Sequence, residues 1–79
     1  METVIFKNNS KDDKLLLNIG MKIKTLREAK GIKKGKLSKL SKISYGSLTS
    51  IELGLVDIDI STLNKLAQIL KVDLKLFLP

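Results

Sequence analysis

Residues 32–54 read IKKGKLSKLSKISYGSLTSIELG, and this stretch decides how the rest of the chain is organised. Apolar residues sit within it at Leu37, Leu40, Ile43, Leu48 and Ile51. Leu37 and Leu40 are three apart, as are Leu48 and Ile51, so each pair falls on one face of a helix. Ile43 stands between the pairs and is placed to plug the angle between two short helices. Ser44 is placed to cap the second helix, because its side-chain oxygen can accept backbone N–H groups of the first turn.

Two short helices joined by a tight turn make a helix-turn-helix, whose second helix can enter the major groove of DNA. The expected helices cover 35–40 and 45–53, with Gly54 ending the second. The first starts poorly, since Lys33 offers no capping oxygen and Gly35 is a weak helix former.

Upstream, Leu16, Ile19, Ile23 and Leu26 follow a 3-4-3 spacing, which predicts a helix from 12 or 13 to 30. Gly31 then sits where a left-handed C-cap is wanted. Downstream, residues 55–60 form an apolar connector and Asp59 is placed to cap a helix over 60–70. Leu63, Leu66, Ala67 and Leu70 face inward on that helix. Asp73 caps a last short helix over 74–78. The sum is an all-α, compact five-helix bundle. Residues 14–79 form its one domain, and 1–13 precede it as a tail or arm. Thr3-Val4-Ile5-Phe6 is β-prone, so an arm touching DNA and a short strand packed on the body are the alternatives to a tail.

Composition sets limits on function. A chain of 79 residues fits one domain. A domain near this size buries only roughly 60% of its unfolded surface, and dimerisation is one way to add stability. The chain has no Cys and no His, so disulfides, a Cys/His zinc site and thiol or imidazole catalysis are excluded. No paired carboxylates, nucleophile–base set or Gly-rich phosphate loop is visible, so an enzyme is the least favoured class. No metal, cofactor or small-molecule ligand is expected. No apolar run approaches the ~20 residues of a membrane span, and the simplest reading is a cytoplasmic protein.

The net charge is +7, and it is concentrated. Between residues 22 and 42 nine basic residues (Lys22, Lys24, Arg27, Lys30, Lys33, Lys34, Lys36, Lys39 and Lys42) stand against Glu28 alone, a net of +8. Residues 1–21 net to zero and residues 43–79 to −1. A basic block across two helices and their junction is the electrostatic footprint of a nucleic-acid binder. With Leu48 and Ile51 inward, the exposed positions of the second helix are Tyr45, Gly46, Ser47, Thr49, Ser50 and Leu53.

The ordered set Ile19-Gly20, Ile23, Leu26-Arg27, Gly31-Ile32, Leu37, Ile43-Ser44, Leu48, Ile51-Glu52 and Gly54 has a continuation. It runs on through Thr62-Leu63, Leu66-Ala67, Leu70, Val72 and Leu76-Phe77. In this order and spacing the chain resembles the phage lambda repressor and Cro family of DNA-binding domains, from about residue 19 to residue 77. The resemblance implies a sequence-specific transcriptional regulator. It implies that Ser44, Tyr45, Gly46 and Ser50 face bases or adjacent phosphates, and that Arg27 pairs with Glu52 as a structural ion pair. Thr49 joins the base-facing set as an exposed polar position of the same helix.

Phosphate contacts are expected from Lys33, Lys34, Lys36 and Lys42. None of the base-facing residues is Arg, Gln or Asn, so base reading should be modest and partly indirect. The chain departs from the family at Ser38, where Ala is usual, at Lys42, where Gly is usual, and at Ile58, where Pro is usual. A β-carbon at Lys42 predicts a left-handed residue costing ~1 kcal/mol, or a longer turn.

Leu55, Val56, Ile58, Leu74 and Leu76 exceed what one small bundle needs inside. They are the expected interface of a homodimer on a palindromic operator, with recognition helices ~34 Å apart. The rival reading is a protein-interaction module that kept the fold and lost base reading.

Overall fold

The computed structural model describes residues 10–78. Four α-helices follow one another: α1 (Ser10–Ala29), α2 (Lys34–Ser41), α3 (Tyr45–Glu52) and α4 (Ile60–Leu70). A 3-10 helix over Leu74–Phe77 closes the order. Among the described residues the fold is all-α, with four α-helices rather than five: the short run after Asp73 winds as a 3-10 turn of four residues. Asp73 Oδ1 accepts from Lys75 N at 2.9 Å, a bond that tightens such a short first turn. The expectation of a tail or arm over residues 1–9 lies outside the described residues. Residues 10–13, expected to precede the fold, form the first turn of α1.

The core is built from Ile19 and Ile23 of α1, Leu37 of α2, Leu48 and Ile51 of α3, Leu63, Leu66, Ala67 and Leu70 of α4, and Phe77. Leu26, Ile32 and Ile43 pack against it from the helix ends and the turn. One helix face differs from expectation. Leu40 is 52% exposed, while Ser41 is buried. From Leu37, a step of four residues returns closer to the same helix face than a step of three, so the buried stripe of α2 runs through Leu37 and Ser41. That arrangement also draws α4 in, since Lys65 Nζ donates to Ser41 O at 3.1 Å.

Backbone geometry sets the helix–helix angles. α1 and α3 touch at Gly20, where a β-carbon would collide with the carbonyl oxygens of Ile51 and Glu52, the latter at 2.6 Å. α3 ends at Gly54, at φ 72°. There Leu55 N donates to Ser50 O at 2.9 Å and Gly54 N to Ile51 O at 3.0 Å, a Schellman closure.

The turn between α2 and α3 is made without glycine. Lys42 takes φ 62° and ψ 26°, so of the two expected outcomes the turn stays short and Lys42 adopts the left-handed conformation that glycine enters more readily. Two serines hold the turn: Ile43 N donates to Ser41 Oγ at 3.2 Å, and Ser38 Oγ donates to Ile43 O. Ser38, where the family usually has Ala, therefore supplies a bond that an alanine cannot make.

Candidate nucleic-acid interface

Local sequence explains how α3 is presented. Ser44 is extended and its Oγ accepts from Ser47 N at 3.1 Å, which satisfies a backbone donor of the first turn. Ser44 Oγ also bonds Ser47 Oγ at 2.9 Å, so this hydroxyl is engaged within the cap. Leu48 and Ile51 are buried, which turns Tyr45 and Leu53 outward at 57% and 54% exposure. Gly46 is exposed, with nothing within 4 Å of where a β-carbon would stand. Ser50 is half-buried and faces a recess shared with Ile43, Ser47 and the connector residues Val56 to Asp59.

Beneath α3 lies a buried ion pair. Arg27 Nε donates to Glu52 Oε2 at 2.7 Å and Arg27 Nη2 to Glu52 Oε1 at 3.2 Å, a two-pronged contact. Arg27 Nη1 donates to Ile32 O at 3.0 Å. Arg27 and Glu52 are 6% and 4% exposed. Hydrogen bonding to Glu52 holds the Arg27 guanidinium above its ordinary pKa, against the opposing pull of burial. The pair ties the end of α1 to the end of α3 and leaves the arginine little reach to any ligand.

The lysines divide into two groups. Lys33, Lys36, Lys39 and Lys42 are exposed. Lys33, Lys34, Gly35, Lys36 and Lys39 line a shallow recess with Tyr45 and Arg27, beside the start of α3. Lys39 was not singled out as a site residue from the sequence, although its spacing of three from Lys36 places both on one side of α2. Lys34 is different. Its Nζ donates to Thr49 Oγ1 at 3.0 Å and lies 3.8 Å from Glu52 Oε1. Thr49 Oγ1 in turn donates to Tyr45 O at 3.0 Å. Lys34 and Thr49, expected at a phosphate and at a base, are thus bonded to each other.

The residues expected at a dimer interface also divide. Leu55, Val56 and Leu76 are exposed, at 70%, 42% and 48%. Ile58 and Leu74 are half-buried and pack against the protein's own core, so the structure uses them inside the monomer. Leu76 belongs to an apolar groove with Leu17, Met21 and Leu26, edged by Lys14 and Lys22. Among the described residues no cluster of carboxylates could hold a metal ion, and no helix is long and apolar enough to cross a membrane.

No curated protein matches the chain. Residues 23–77 match the helix-turn-helix family HTH_3, a span running from the middle of α1 to the end of the terminal 3-10 helix. It takes in α2, the left-handed turn, α3 and the Arg27–Glu52 pair. On that match the chain belongs to the lambda repressor and Cro type of helix-turn-helix proteins, a family of DNA-binding regulators.

Proposed function

We propose that this protein is a sequence-specific transcriptional regulator that binds double-stranded DNA as a homodimer, with α3 in the major groove of each half of a palindromic site. The observation that carries the reading is the juxtaposition of an outward α3 face with an exposed basic rim. Tyr45 and Gly46 stand exposed on that face with half-buried Ser50 beside them, Lys33 and Lys36 line the recess next to it, and Lys42 is exposed in the turn before it. A protein neutralises phosphates with such lysines and reads bases with the helix between them. The dimer is supported by the exposed apolar surface of Leu55, Val56 and Leu76. A symmetric pair would match the two-fold symmetry of an operator.

Fluorescence anisotropy against the protein's own upstream DNA and a scrambled duplex, each at several salt concentrations, tests this reading. Tighter binding to the upstream duplex, with log affinity falling by ~0.9 per phosphate contact against log salt, supports autoregulation. No binding at low salt to either duplex, or to a pool of random duplexes, refutes it.

One observation favours a second reading, a protein-interaction module on the same fold. The hydroxyls of Ser44 and Thr49 are engaged inside the protein, which leaves α3 few free polar groups for bases. The substitutions Lys33→Glu and Lys36→Glu separate the two: a regulator loses DNA, whereas an interaction module keeps its partner.

A further inference from the structure

Lys34 is where α2 meets one stripe of α3. Its Nζ donates to Thr49 Oγ1 at 3.0 Å, lies 3.8 Å from Glu52 Oε1 and stands 5.2 Å from the centre of the Tyr45 ring. Tyr45, Thr49 and Glu52 recur at i, i+4 and i+7, so a single ammonium group meets three successive positions along one helix face. The Lys34 side chain is 21% exposed, which draws its charge away from the surface where a phosphate would meet it. Thr49 has one hydroxyl proton, and that proton goes to Tyr45 O. With Lys34 donating to the same oxygen, Thr49 can offer a base no donor. Tyr45 remains 57% exposed, with a cation near its ring to restrict where the phenol points.

We propose that Lys34 is a positioning residue for base reading: it holds Tyr45 and Thr49 in the arrangement that meets DNA and makes no phosphate contact of its own. This inference rests on the DNA-binding reading above. It divides the basic residues by role. Lys33 and Lys36 contribute affinity that is indifferent to sequence, and Lys34 contributes discrimination. Sequence-blind phosphate contacts and base contacts are separable in this way because only the former release counterions.

The test measures two numbers for each variant: the ratio of affinities for a duplex selected from a random pool over a scrambled duplex, and the salt slope on each. Lys34→Met is expected to lower the ratio about tenfold, since a bond to a charged donor and a cation–ring contact are both lost. Its slope should change by much less than the ~0.9 of a phosphate contact. Lys34→Gln keeps a donor for Thr49 without the charge, and it should hold the ratio within about threefold of the original protein. Lys33→Met is the contrasting case, with the slope reduced by ~0.9 and the ratio unchanged.

The Tyr45 ring proton shifts of the free protein give a readout without DNA, and they should move in Lys34→Met and stay in Lys33→Met. If both Lys34 variants reduce the slope by ~0.9 and leave the ratio and the Tyr45 shifts unchanged, Lys34 is an ordinary phosphate contact and the inference is overturned. If the unsubstituted protein binds no duplex, the DNA-binding reading fails and this inference fails with it. If Lys34→Met does not fold, Lys34→Ala takes its place: a reduced slope with an unchanged ratio overturns the inference, and a lowered ratio with an unchanged slope supports it.

Discussion

Replacing Glu52 by Gln should cost this protein a large share of its stability. The side chain keeps its size, so the effect is electrostatic. Glu52 is 4% exposed and accepts from Arg27 at 2.7 and 3.2 Å, with Lys34 Nζ at 3.8 Å. Glutamine can accept at one oxygen only, and it turns an N–H₂ group toward a second donor. Arg27, 6% exposed, is then a buried cation whose remaining carboxylate is Glu28 at 3.9 Å. Breaking a buried pair from one side costs about 3–5 kcal/mol, because the partner's charge is left uncompensated. A domain of this length has roughly 4–12 kcal/mol of stability in all.

Urea unfolding followed by circular dichroism is the assay. The midpoint should fall steeply while the slope with urea stays the same, the signature of a stability change without a change in exposed surface. The double variant Arg27→Met with Glu52→Leu should recover most of the loss, since a well-packed apolar pair can replace a buried ion pair. A loss under about 1 kcal/mol for Glu52→Gln, or a double variant no better than the single one, would show that the buried pair does not hold α1 to α3. The raised pKa of Arg27 adds no pH dependence near neutrality. Its stabilisation is complete below the unfolded value and is lost only as pH rises through the still higher folded value, in the strongly alkaline range.

Gly20→Ala should destabilise by about 3 kcal/mol or more, read by thermal melting, because the added carbon meets backbone oxygens of α3 that no rotamer change can move. Lys42→Gly relieves a left-handed residue but returns glycine's freedom to the unfolded chain, so stability should stay within about 1 kcal/mol. Its DNA salt slope should nevertheless fall by ~0.9, and an unchanged slope would remove Lys42 from the phosphate set. Asp59 has its carboxyl pKa lowered by hydrogen bonding to Thr62, so its contribution is present above the ordinary carboxylate value and fades as pH falls through the lower folded value. Asp59→Ala should therefore narrow the difference in unfolding midpoint between neutral and acid solution, and an unaltered difference would show that the cap does not titrate.

How far these features could be read from the sequence depended on how local their causes are. The bounds of α4 were legible because Asp59 caps it and its four inward residues repeat at helical spacing, and Asp59 Oδ1 does accept from Thr62 N at 2.8 Å. At Lys42 the sequence left two outcomes, a left-handed residue or a longer turn, and the structure takes the first. Leu40 was misplaced because a spacing of three does not say to which side of Leu37 the buried stripe continues. That choice is made where α2 packs on α4. The partnership of Lys34 with Thr49 spans fifteen residues of sequence. A lysine at the start of a helix reads as a surface charge, and only the packing of α2 on α3 shows that its end is turned in. Ile58 and Leu74 read as surplus apolar residues because the depth of a small core depends on how the connector folds over it.

DNA should meet the protein at α3 and the lysines beside it. A titration of the isotopically labelled protein with a binding duplex, followed by amide chemical shifts, tests it most directly. The largest changes should map to residues 33–36 and 42–50. Changes confined to the groove of Leu17, Met21 and Leu76, with residues 42–50 unmoved, would contradict it.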